Sequence, residues 1–135
     1  MYSFSNKSKQ ILLECDGRLQ TIFLDVIGVI DCQPLEGHRS RERQQELYDS
    51  GASKIQSSKH NYLPSRAIDI SPYPIPDGWG EDHPKEMAKF YYFAGIVKGV
   101  ASKHGIRIRW GGDWDGDNDF KDQTFDDLVH FELYP

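Results

Sequence analysis

The segment 84–104 constrains the fold more than any other. Met87, Phe90, Tyr91, Ala94, Val97 and Ala101 recur along it at helical spacing, Pro84 suits a first turn, and Gly105 ends it. A long helix with one apolar face has to pack on a second layer. The rest of the chain offers short elements. Further helices are expected over 5–15, 17–29 and 40–50, the last closed by Gly51. Strands are expected over 30–35, 66–71, 106–110 and 129–134, with Pro34 marking the first as an edge. Segments 52–65 and 111–123 read as loops. Helices and strands do not alternate strictly. The expected class is therefore α+β, a small, mostly antiparallel sheet packed with helices, as one domain over 1–135.

Bulk composition excludes several functions. Hydrophobic residues at 38% and charged residues at 27% fit a globular rather than a disordered chain. The net charge of −5 lacks the basic footprint that neutralises phosphates, so no nucleic-acid partner is expected. No apolar run approaches the ~20 residues that span a bilayer. Residues 1–10 are polar, with no secretory core, so synthesis in the cytoplasm without membrane insertion is expected. Cys15 and Cys32 form no Cys-x-x-Cys pair and are expected to be reduced and partly buried.

Two segments carry chemistry. In Arg66-Ala67-Ile68-Asp69-Ile70, strand alternation puts Asp69 on one face and both isoleucines on the other. A carboxylate in such a strand needs a partner, and a metal ion supplies one. Pairing with Arg66 or capping of a turn would serve equally. In Asp127-Leu128-Val129-His130-Phe131-Glu132-Leu133, His130 and Glu132 share one strand face, and Asp127 stands at the bend into the strand. The alternative there is a surface aspartate and a hydrogen-bonded core histidine. A hydrolytic zinc takes three ligands from His, Asp and Glu, leaves a position for water, and works beside a base.

Four motifs in order resemble the zinc D-alanyl-D-alanine carboxypeptidase and L-alanyl-D-glutamate endopeptidase family, whose fold is related to the hedgehog signalling domain. They are Gly37-His38-Arg39-Ser40 followed by Gln44 and Leu47-Tyr48-Asp49-Ser50-Gly51; Ser58-Lys59-His60; Ala67-Ile68-Asp69; and Asp127-Leu128-Val129-His130. Trp110-Gly111-Gly112-Asp113-Trp114 is similar to a segment that precedes the last motif. The likeness spans 37–133. It implies a zinc ion held by His60, Asp69 and His130, Asp127 as the base that activates water, and Arg39 on the scissile carbonyl oxygen. Ser58 and Trp110 are the candidate substrate contacts; Glu132 is open as a fourth ligand, with a partner of a histidine or a structural role preferred.

The implied function is hydrolysis of peptidoglycan stem peptides, as an endolysin-like L-alanyl-D-glutamate endopeptidase of phage type. It would act as a monomer and be released to the wall by a partner such as a holin. A D-alanyl-D-alanine carboxypeptidase is the alternative, and a non-catalytic zinc-binding module the alternative from another class. The sequence departs from the family between His60 and Asp69, where the gap is longer and Pro64-Ser65 replaces a glycine. A surface loop absorbs extra residues at little entropic cost. Asp113, Asp115, Asp117 and Asp119 alternate, but counting from Asp113 the sixth residue is Asn118 and the twelfth Thr124, so an EF-hand pattern fails. A solvated loop at the cleft rim is expected there.

Overall fold

In the computed structural model, residues 1–121 and 126–135 are described. The elements are α1 (Asn6–Leu13), α2 (Gly17–Val26), β1 (Cys32–Glu36), α3 (Arg41–Asp49), a 3-10 turn (Lys59–Asn61), β2 (Ala67–Pro72), α4 (Pro84–Lys103), β3 (Ile108–Gly111) and β4 (Asp127–Leu133). Caps set the helix starts. Ser5 Oγ accepts from Ser8 N, Asp16 Oδ1 from Arg18 N and Ser40 Oγ from Arg43 N, at 2.9–3.1 Å. Pro84 opens α4, where its missing N–H costs nothing.

The four strands pair antiparallel in the order β1-β2-β4-β3. One sheet face is apolar. Ile68, Ile70, Leu128, Phe131 and Leu133 from the strands meet Leu19, Ile22, Phe23 and Val26 of α2 and Phe90, Phe93, Ala94, Val97 and Ala101 of α4. Phe131 sits at the centre, edge-on to Phe23 at 5.8 Å and to Phe93 at 5.9 Å between centroids. The α+β expectation therefore holds, with α4 as the main cover of the sheet. Phe93 joins the buried stripe that periodicity assigned to its neighbours. Among the described residues, no helix is long and apolar enough to cross a membrane.

Several boundaries differ from the sequence reading, by one to three residues. Helix α2 ends at Val26 rather than near residue 29, because Gly28 N and Val29 N bond three residues back and tighten the last turn. The expected loop 52–65 contains the 3-10 turn. Strand β4 starts at Asp127 rather than at 129, because Asp127 already pairs with Gly111 of β3. The end of the expected 111–123 loop, from residue 122, and Thr124 lie outside the described residues.

Gly111 is what permits that pairing. A Cβ built on it would sit 2.0 Å from the backbone oxygen of Asp127. Gly111→Ala is expected to force β3 from β4, cost about 1–3 kcal/mol of stability as overpacking does, and lower activity by moving Asp127. Chemical denaturation and a turnover assay on one preparation check both effects.

Both thiols are buried and unpaired, more fully than the sequence suggested, and burial pushes each up to about 12.

Candidate metal and catalytic site

The other sheet face is polar. Antiparallel register sets Asp69 of β2 directly opposite His130 of β4. Their neighbours Ile68, Ile70 and Phe131 are driven into the core, so alternation turns the carboxylate and the imidazole outward. His60 arrives from the 3-10 turn. Ser58 Oγ accepts from His60 N at 3.1 Å and Asn61 Oδ1 accepts from Ser58 N at 2.8 Å, a reciprocal cap that fixes this turn. Arg39 N donates to His60 O at 2.8 Å and Asn61 Nδ2 to Arg39 O at 2.9 Å, which ties the turn to the segment before α3.

The three side chains converge. His60 Nε2 and His130 Nδ1 each lie 3.2 Å from Asp69 Oδ1, and the three residues offer donor atoms all within 4.8 Å of one another. The outer nitrogens are engaged elsewhere. His60 Nδ1 donates to Gly37 O at 2.6 Å, and His130 Nε2 donates to Glu132 Oε1 at 2.8 Å. Each inner nitrogen of a neutral ring is then a lone pair aimed at a carboxylate oxygen. With both rings neutral, two imidazole lone pairs and one carboxylate are a zinc-type donor set with room for a further ligand. The donors fit a divalent metal.

Charges around the site follow from burial and pairing. Burial works to raise the Asp69 carboxyl, but hydrogen bonds from His130 and His60 outweigh it and hold it well below the carboxylate range. Burial likewise opposes a charged His130, yet Asp69 and Glu132 together lift it to about 9. Burial and the nearby Asp69 charge push Asp127 above its usual value, and His130, His60 and Arg39 only partly offset this. Glu132 is itself held by Lys59 Nζ at 3.2 Å and faces Arg109 at 3.7 Å. It therefore orients His130 from behind.

A cleft of about 440 Å³ opens over these groups. Arg39, Ser58, Asp127 and the three convergent residues line it, with Arg43 and Leu47 of α3, residues 52–55 and Trp114 as walls. The Trp114 ring lies 5.4 Å from the His130 ring. Trp110 belongs elsewhere. It is 2% exposed in the core and donates its indole N–H to Leu128 O at 2.9 Å. Of the two candidate substrate contacts, then, Ser58 reaches the cleft and Trp110 does not; the tryptophan on the wall is Trp114. His38 lies outside the lining, its backbone N–H donating to Glu14 Oε1 at 3.0 Å. His104 pairs with Asp25 at 2.7 Å, and Arg66 lies 4.5 Å over the Tyr62 ring.

The acidic loop is less solvated than expected. Asp113 is 1% exposed, accepts from Asn118 N at 2.9 Å and faces Lys98 Nζ at 3.9 Å. Asp115, Asp117 and Asp119 are exposed and accept from backbone N–H groups two residues on. Asp113 and Asp115 line a separate cavity of about 450 Å³, which contains none of the three convergent residues.

Sequence reading missed Glu36 and gave Gln44 no role beyond its place in a motif. Glu36 accepts from Arg39 Nε at 2.9 Å and also from Nη2. Gln44 accepts from Arg39 Nη1 at 2.8 Å. Their positions three before and five after Arg39 were the available signal.

Fold and site together define a metallopeptidase-like centre on the polar face of a small antiparallel sheet. The chain belongs to the phage L-alanyl-D-glutamate peptidase family, whose sequence model matches residues 1–134. Among solved structures, the Serratia marcescens L-Ala D-Glu endopeptidase ChiX is 26% identical, with a TM-score of 0.71 over 97% of this chain and 89% of that one. The LD-carboxypeptidase LdcB shares the fold at 21% identity and a TM-score of 0.51, over 98% of this chain and 64% of that one. No curated protein sequence matches. The chain is an enzyme, a peptidase of peptidoglycan, which sets aside the non-catalytic module.

Proposed function

We propose that the chain hydrolyses the L-alanyl-D-glutamate bond of peptidoglycan stem peptides, with one zinc ion held by His60 Nε2, Asp69 and His130 Nδ1. The observation that carries this reading is the convergence of both inner imidazole nitrogens on Asp69 Oδ1, each 3.2 Å away, while both outer nitrogens are already bonded. When bound, zinc supplies Lewis acidity, which acidifies water and polarises a carbonyl. Asp127, on the cleft wall with its carboxyl raised by burial, takes the proton from the attacking water and returns it to the leaving amine. Arg39 offers N–H donors to the carbonyl oxygen as negative charge grows on it. Trp114 and the Leu47 and Ile55 side chains give the peptide apolar surface and exclude water.

Residues 1–135 then form a single catalytic domain, active as a monomer and carried to the wall by a holin-type release. Digestion of isolated sacculi followed by mass spectrometry tests the bond. Stems split after the first L-alanine are expected; release of free D-alanine alone would instead support the D-alanyl-D-alanine carboxypeptidase reading.

Metal uptake should release a proton. Without metal, His130 keeps both ring protons, bonded to Asp69 and Glu132, up to about pH 9. Zinc held at Nδ1 would displace the proton there, so about one proton would leave per ion bound near pH 7.5, with the release fading above about pH 9. The raised value also makes a stability statement. In the metal-free protein this contribution is complete below the ordinary histidine value of 6.5 and is lost as pH rises through about 9. Titration calorimetry in buffers of different ionisation enthalpy measures the proton; no buffer dependence at pH 7.5 would contradict it.

A further inference from the structure

Helix α3 is almost wholly polar, and Gln44 is its one buried residue. That side chain is 0% exposed, and both ends of its amide are committed. Oε1 accepts from Arg39 Nη1 at 2.8 Å. Nε2 donates to Ser53 Oγ at 2.9 Å and to Ile55 O at 2.7 Å. A buried amide with all these bonds made is costly to disturb and confines whatever it holds.

What it holds is a guanidinium on one side and a cleft wall on the other. A guanidinium has five N–H donors in a fixed plane. Glu36 takes one on Nε and one on Nη2, and Gln44 takes one on Nη1. This leaves one N–H on each terminal nitrogen. With Glu36 on one edge and Gln44 on another, the plane cannot turn without breaking a bond. Arg39 Nη2 then stays 3.6 Å from Asp69 Oδ2, beside the proposed metal ligands. Ser53 and Ile55 line the same cleft.

We infer that Gln44 is a positioning residue that acts through Arg39, aiming its two remaining N–H groups at the substrate carbonyl and fixing its distance from the 53–55 wall. This rests on the reading of Arg39 given above. Gln44 itself touches no substrate, since its amide is buried and fully used.

The test is a double-mutant cycle on the zinc-loaded chain, with a soluble muropeptide as substrate. Gln44→Met fills the site without an acceptor and is expected to lower kcat roughly 10–100-fold, as small misplacements of a catalytic group do, with zinc content unchanged. In an Arg39→Ala background the same substitution should change kcat less than about twofold, because neighbours acting as one unit are not additive. Gln44→Glu keeps the acceptor for Arg39 but loses the donors to Ser53 and Ile55, so it should keep kcat and raise KM. It serves also if Gln44→Met fails to fold. Losses that multiply across the cycle, or a Gln44→Glu protein as impaired in kcat as Arg39→Ala, would overturn the inference and leave the role of Arg39 intact. An Arg39→Ala protein with full kcat would overturn both.

Discussion

His60→Ala is expected to lose zinc and all measurable hydrolysis of the stem peptide. The size of the effect follows from how the donors are arranged. His60 Nε2 and His130 Nδ1 both lie 3.2 Å from Asp69 Oδ1, and two donors in place of three leave a divalent ion mostly hydrated. The loss should not come from unfolding. His60 is buried on the 3-10 turn over the polar face of the sheet, and its removal costs a hydrogen bond to Gly37 O but takes no side chain from the apolar core. Zinc content by mass spectrometry, a melting curve and a muropeptide digest on one preparation separate the two causes. Stripping zinc from the unaltered chain with a chelator should reproduce the loss, and restoring zinc should reverse it. A His60→Ala protein that digests sacculi at the original rate would remove the proposed site.

Asp127→Asn is expected to cut kcat by about 10²–10⁴-fold, the usual worth of a positioned general base. Zinc content should stay the same, because Asp127 is not among the three convergent donors. An amide is nearly the same shape as a carboxylate, so the β3–β4 pairing through the backbone of Asp127 should survive. In the metal-free protein, burial and the Asp69 charge push the Asp127 carboxyl above its usual value. Loss of zinc along with activity would contradict the assignment of Asp127 as base.

Much of this architecture was legible in the sequence, and the reason is periodicity. Alternation in Ile68-Asp69-Ile70 and in His130-Phe131-Glu132-Leu133 fixed which side chains face the core, and the structure keeps those faces. The 84–104 stripe identified α4, which covers the sheet. Pairing between distant segments could not be read that way. The register that sets Asp69 against His130 depends on long-range strand contact, and only ordered motifs suggested it. Trp110 shows the same limit. It stands beside two glycines in a motif near the site, but a ring that large is buried where the core has room, and Gly111 and Gly112 bring the chain past it to Trp114. Gln44 was visible only as a motif letter, because nothing in a charged helix reveals which polar side chain turns inward.

These assignments depend on one ion lying among the inner nitrogens of two histidines and one aspartate. Crystals of the zinc-loaded chain, measured on either side of the zinc absorption edge, locate that ion directly. The expected result is a single strong anomalous peak within coordination distance of His60 Nε2, His130 Nδ1 and an Asp69 oxygen. A peak elsewhere, or an ion reached through His60 Nδ1 or His130 Nε2 instead, would contradict the account.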